Sequence, residues 1–334
     1  MKKYLIVLLF GGMLFGCEDA NTKKERFFLK GNVKLNEGQL KDAINYYDES
    51  LEIDPNYVDA LNNRGIAFLK DQKEYKAIED FTLIIDNNPD NKDALFNRAT
   101  AFLDVKEYYR CLADIKVLIS LGHHEPKVYM TEGIANTELK RYDAAISSFD
   151  KIIVKNPNDA EALTNRGTVY YYQNKYELAI KDLDQARKIN PDEANIYNVL
   201  SLIYEKKQDF ENALDEIDKA LALQPRNAYF LNNKGFLLLS MNKPEQAEEF
   251  INESISEDPL NAWAYRNKGI YYYQIKNYEE SIRLINKSLK MDKNIVDGSK
   301  YLGLAYYDNG NVAKACETWQ KGNNQQLLDS LCNK

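Results

Sequence analysis

The sequence predicts an all-α protein in which helical hairpins stack as a solenoid, and three periodic registers carry that prediction. Stepping by 34 residues from Gly31 meets Gly65, Ala99, Gly133, Gly167, Ser201, Gly235, Gly269 and Gly303, all small. The same step from Ala43 meets Ala77, Cys111, Ala145, Ala179, Ala213, Ala247, Ser281 and Ala315, again all small. A third series, Pro55, Pro89, His123, Pro157, Pro191, Pro225 and Pro259, is proline at six of seven places. Three registers that agree without an insertion exclude coincidence and define an array of equal units.

The chain opens on an address. Residues 1–16 read as a signal peptide, with Lys2 and Lys3 ahead of an apolar run too short to cross a bilayer. Leu14-Phe15-Gly16-Cys17 resembles the lipobox of bacterial lipoproteins, although Phe15 is bulkier than the residue usual there. The resemblance implies lipidation at Cys17, which with a short spacer makes up residues 17–23. It also implies anchoring to a membrane of the bacterial cell envelope, at the periplasmic face or the cell surface. Several acyl chains make such an attachment stable where one is marginal.

Nine contiguous units follow: 24–57, 58–91, 92–125, 126–159, 160–193, 194–227, 228–261, 262–295 and 296–329. Within each, Gly31 and its equivalents (position 8) belong to a first helix, and Ala43 and its equivalents (position 20) to a second. Small side chains at both let the two backbones approach closely. Position 24 is large throughout, from Tyr47 and Phe81 to Ile285 and Trp319, and is expected to fill the space between hairpins. The proline ends the second helix, because it lacks an N–H and biases its predecessor away from the α region. Residues 325–334, overlapping the last unit, read as a C-terminal capping segment, which a solenoid needs.

The length and residue classes of the unit resemble the tetratricopeptide repeat. That resemblance implies a right-handed superhelix whose first helices line a concave groove, with positions 2, 5, 6, 9, 12 and 13 facing a protein or peptide partner. Position 6 is Asn63, Asn97, Asn165, Asn233 and Asn267, and an amide pairs with both N–H and C=O of an extended peptide. The set resembles the asparagine ladder of the O-linked N-acetylglucosamine transferase superhelix. The competing reading is structural, with each amide satisfying nearby backbone. The family's two-carboxylate clamp is excluded: Asn32 and Asn63 match its asparagines, but Phe28, Asp93 and Asn97 stand where it needs two lysines and an arginine. Groove aromatics gather toward the C-terminal half as Tyr171, Tyr172, Tyr229, Phe236, Trp263, Tyr273 and Tyr307, and Trp263 has the character of an interface anchor. Packing between first helices is its alternative role.

Charge and chemistry narrow the function. The formal charge is −7, or −9 without Lys2 and Lys3, and no basic block or basic amphipathic stretch stands out. Nucleic acid is therefore not an expected partner. Cys111 falls on a core position, whereas Cys316 and Cys332 are candidates for a disulfide in an exported chain. His123 and His124 sit together on a loop without companions, so no metal is expected. Pairs such as Glu248-Glu249 read as solvated second-helix faces. No nucleophile elbow, phosphate loop or metalloprotease motif is present, and neither an enzyme nor a cofactor is expected. The expectation is a non-enzymatic, membrane-anchored scaffold in cell-envelope complex assembly. The alternative is a glycan- or peptidoglycan-binding module that stacks sugars on the aromatic groove.

Overall fold

The computed structural model describes residues 19–332. The signal segment and Cys17 lie outside the described residues. The fold is an all-α solenoid, and it divides into two compact units that meet in sequence at Lys151 and Ile152. The first unit holds α1 (Ala20–Asn36), α2 (Leu40–Ile53), α3 (Val58–Lys70), α4 (Glu74–Asn87), α5 (Lys92–Asp104), α6 (Tyr108–Ser120) and α7 (Pro126–Glu138). Then comes α8 (Tyr142–Lys155), within which the boundary falls. The second unit holds α9 (Ala160–Tyr172), α10 (Tyr176–Ile189), α11 (Ala194–Lys206), α12 (Phe210–Leu223), α13 (Ala228–Ser240) and α14 (Pro244–Glu257). It ends with α15 (Ala262–Gln274), α16 (Tyr278–Met291), α17 (Gly298–Asp308), α18 (Val312–Lys321) and a short helical tail from Gln325 to Cys332. In each unit the hairpins pack on their sequence neighbours, and successive first helices touch side by side.

The small residues act as sockets. A Cβ placed on Gly31 would lie 2.5 Å from the Tyr47 ring, on Gly65 2.6 Å from Phe81, and on Gly235 2.5 Å from Ile251. Position 24 therefore packs into its own hairpin, against the position-8 glycine, and not between hairpins as its size implied. Tyr47, Phe81, Phe149, Leu183, Ile217, Ile251, Ile285 and Trp319 are all fully buried. The position-20 residues, from Ala43 to Ala315, are equally buried. Where serine replaces glycine, at Ser201, its hydroxyl donates to the Ala213 carbonyl (2.7 Å) and keeps the close approach.

One device turns every hairpin. Position 15 is left-handed in all nine, with φ between 56° and 62° at Gln72, Lys106, Lys140, Asn174, Gln208, Asn242 and Lys276, and with Gly38 and Gly310 at the two ends. The next residue's N–H reaches back to close the first helix, as in Lys73 to the Phe68 carbonyl and Arg141 to the Asn136 carbonyl. This is the Schellman stop, which satisfies carbonyls a helix end otherwise leaves open.

Two boundaries depart from the sequence reading. The expected spacer up to residue 23 is in part the first turn of α1, because the Asp19 side chain accepts from the Asn21 and Thr22 amides and starts the helix early. At the other end α17 begins only at Gly298, after Asp297 in the left-handed region. Lys293 stands there at the place of the proline, so the turn takes another course. The expected capping segment from Gln325 is one short α-turn followed by a wider turn over Leu328–Cys332.

Candidate functional site

The position-6 asparagines form two chains of amides, one in each compact unit. In the first, Asn97 Nδ2 donates to Asn62 Oδ1 (3.0 Å), Asn62 to Asn63 (3.2 Å), and Asn63 to Asn32 (2.8 Å). The Tyr47 hydroxyl also donates to Asn32 Oδ1 (2.8 Å), and burial pushes that phenol up to about 12. In the second, Asn267 Nδ2 donates to Asn232 Oδ1 (2.7 Å), Asn232 to Asn233 (3.4 Å), and Asn233 to Asn198 (2.8 Å). Each run crosses between neighbouring first helices, so the amides bind hairpin to hairpin. Asn267 is fully buried, while Asn63, Asn97 and Asn233 are half-buried. Asn165 donates to the Glu161 carbonyl one turn back (3.0 Å).

Beside the ladder lies a lock that the sequence reading passed over. Arg64, Arg98 and Arg166 (position 7) each hold an aspartate at position 23 with two hydrogen bonds. Asp80, Asp114 and Asp182 are buried, and the pairs run from 2.6 to 2.9 Å. Bidentate guanidinium–carboxylate geometry fixes orientation as well as charge. Burial pushes the Asp80 carboxyl up against the pull of Arg64. The signal was present in the sequence as an Arg and an Asp separated by a constant 16 residues.

Repeats seven and eight lack the lock, and each exposes an aromatic at position 2 of its first helix. Tyr229 and Trp263 both occupy position 2, on α13 and α15, and are 60% and 36% exposed. The Trp263 ring lies over the Arg266 guanidinium (4.6 Å), which also faces Phe236 (4.8 Å). Arg266 is buried; its Nε and Nη2 donate to Asn267 Oδ1 and its Nη1 to the Val296 carbonyl. Among the described residues no carboxylate is within ion-pair distance, and desolvation lowers its pKa to about 10 despite Asp297 nearby. The arginine thus joins the end of the ladder to an aromatic surface. Glu248, expected on a solvated face, instead accepts from Lys268 Nζ (2.7 Å) and from the Tyr271 hydroxyl (2.8 Å). Its pKa is lowered by the Lys268 hydrogen bond first and the Tyr271 bond second.

The other aromatics divide. Tyr172 is half exposed against Tyr171, whose phenol burial raises well above the usual range. The Tyr273 hydroxyl donates to Asp308 (2.6 Å), and Tyr307 lies against buried Trp319. Cys316 and Cys332 form a disulfide, with Cα atoms 5.8 Å apart, and fasten the tail to α18. Cys111 is a buried free thiol pushed up to about 12 by burial. His124 Nδ1 and the Tyr129 hydroxyl share a hydrogen bond (2.7 Å), and His123 faces Glu125. No group of His, Cys, Asp or Glu among the described residues is arranged to hold a metal ion.

A stacked-hairpin solenoid with sockets at positions 8 and 20 defines a repeat protein of the binding type. Models of the tetratricopeptide repeat match residues 31–72, 160–193, 194–227 and 216–249, and two of these spans coincide with units read from the sequence. The chain belongs to the tetratricopeptide-repeat family. No curated protein matches the sequence. Among solved structures it is similar to the APC/C hetero-tetramer Cut9–Hcn1, with TM-score 0.64, 15% identity, 94% of this chain and 77% of that one. A monomeric mutant of IFIT1 with Gppp-AAAA gives TM-score 0.56, 16% identity, and 79% and 68% of the two chains. Pseudomonas aeruginosa pilF gives 0.52, 17%, and 64% and 97%. These likenesses concern the fold. Proteins of this family serve generally as non-enzymatic scaffolds that bind proteins or peptides.

Proposed function

We propose that this chain is a non-enzymatic scaffold held at a bacterial envelope membrane by lipid on Cys17, and that repeats seven and eight bind its protein or peptide partner. The observation that carries the reading is the exposure of Tyr229 and Trp263 at the same position of adjacent first helices. A buried cation fixes the Trp263 ring in place. Rigid aromatics lose little entropy on binding and dominate interface energetics. The ladder asparagines are engaged with one another, so they position the first helices that carry the partner surface. At 15–17% identity the similar solved structures support only the fold, and the partner class rests on this surface.

The test is crosslinked capture from membranes, comparing the native chain with a Tyr229→Ala/Trp263→Ala variant whose circular dichroism is unchanged. Loss of a captured protein in the variant is the expected result. Equal capture would move the partner surface off repeats seven and eight. No captured protein, combined with retention on purified cell-wall material that the variant loses, would establish the glycan-binding reading instead.

A further inference from the structure

The first helix departs from the pairing that the next two first helices make. In α3 and α5 the position-6 residue meets the preceding first helix, through Asn63 to Asn32 and Asn97 to Asn62. In α1 that position is Leu29, and no hairpin precedes it among the described residues. Leu29 is 60% exposed and Val33, one turn on, is 54% exposed. A terminal repeat is ordinarily polar on its outer side. Here the two aliphatics and Tyr46 instead line an open hollow of about 550 Å³.

Charge surrounds this apolar strip. α1 carries Lys23, Lys24, Arg26, Lys30 and Lys34 against Glu25 alone, in a chain whose formal charge is −7. Lys24 pairs with Asp54 and Lys34 with Glu37, both at 2.9 Å. Lys23 and Lys30 have no carboxylate partner among the described residues, and both lie near the Phe27 ring. Arg26, Leu29, Lys30 and Val33 follow i, i+3, i+4, i+7 spacing and therefore share one face. The basic amphipathic stretch that composition concealed is this helix.

Its place in the chain says what covers it. α1 begins at Ala20, three residues after Cys17, and three extended residues span only about 10 Å. A lipid on Cys17 would hold α1 against the headgroups. We infer that the Arg26–Leu29–Lys30–Val33 face of α1, with Lys23 beside it, lies on an anionic phospholipid surface and supplies a second membrane signal. Basic residues engage the headgroup phosphates while Leu29 and Val33 enter the interface, which adds to the hold of the lipid and orients α1 on the surface. The location rests on the lipid-anchor reading, whereas the affinity of the face is measurable without it.

The test uses the chain from residue 17 onward with Cys17→Ser, so that no acyl chain contributes. Sedimentation with phosphatidylcholine vesicles is compared with and without phosphatidylglycerol, at low and high salt. The expected result is salt-sensitive binding to the anionic vesicles only. It should weaken about 10- to 30-fold in Lys23→Ala/Lys30→Ala, and also weaken in Leu29→Ser/Val33→Ser. All four positions are surface-exposed, and a melting curve confirms the fold of each variant. No preference for anionic vesicles, or equal binding by the variants, overturns the inference. So does self-association in solution that Leu29→Ser abolishes, because the occupant would then be a second copy. The mass of the native mature chain reports acylation of Cys17 independently, so failure of the anchor reading is separable from failure of the face.

Discussion

Repeats two, three and five close around an arginine that has an aspartate, and repeat eight closes around an arginine that has none. Arg64, Arg98 and Arg166 each join the two helices of one hairpin through a buried carboxylate. Arg266 lies at position 5, two places earlier, and directs its guanidinium between Phe236 and Trp263. The first arrangement satisfies the charge internally, within one hairpin. The second leaves the charge paired only with an amide oxygen, a carbonyl and two rings, and brings an aromatic anchor to the surface. Local rules of a repeat are relaxed where a surface has another task.

The largest expected effect tests the internal lock. Asp114→Ala leaves the Arg98 guanidinium, 16% exposed, without its carboxylate. Breaking one partner of a buried pair costs about 3 kcal/mol. Because repeat arrays depart from two-state unfolding, the loss is best read by hydrogen exchange. Protection should fall in α5 and α6 first, with the distant repeats little changed. If Asp114→Ala exchanges like the native chain, the pair is not a lock, and the contrast with repeat eight disappears.

Arg266→Met sharpens the same contrast. No buried carboxylate is abandoned, and a desolvated cation gives way to an apolar chain of similar length. The Asn267 and Val296 oxygens lose donors, so the net change should stay within about 1 kcal/mol. Partner capture should nevertheless fall, because the Trp263 ring loses the cation beneath it. A stability loss as large as that of Asp114→Ala would show that Arg266 is an ordinary structural arginine.

How much of this was legible in the sequence follows from where each feature is encoded. The hairpins were legible because sockets at Gly65 or Ala179 and plugs at Phe81 or Leu183 are side-chain volumes, and volume is written in residue type. The left-handed residue at position 15 was not legible: only Gly38 and Gly310 advertise it, while Lys106, Asn174 and Gln208 adopt it because the helices on either side require the turn. The mutual pairing of Asn63 with Asn32 depends on the distance between neighbouring helices, which no single repeat encodes. The Arg–Asp separation was available but overlooked. The open face of α1 became visible only when the neighbours of Leu29 were known, since leucine at that position is unexceptional in a helix.

The smallest expected effect concerns Glu248 of repeat seven, which meets Lys268 at position 7 of repeat eight. Glu248 accepts from Lys268 and Tyr271, and its folded pKa lies below the ordinary 4.5 because the Lys268 hydrogen bond favours the carboxylate. A depressed carboxyl stabilises the fold above its unfolded value, and that contribution is lost as pH falls through the folded value. The window therefore opens below about pH 4.5, and the Tyr271 phenol, pushed up to about 12 chiefly by burial, stays protonated throughout it. Glu248 is 39% exposed, so solvent screening reduces the effect to about 0.5 kcal/mol. Acid titration of stability, read by exchange in α14 and α15, should be shallower in Glu248→Gln than in the native chain. Exchange in the distant α5 and α6 should be untouched by that change. An identical acid response in both chains would mean that Lys268 and Tyr271 hold Glu248 no better than water does.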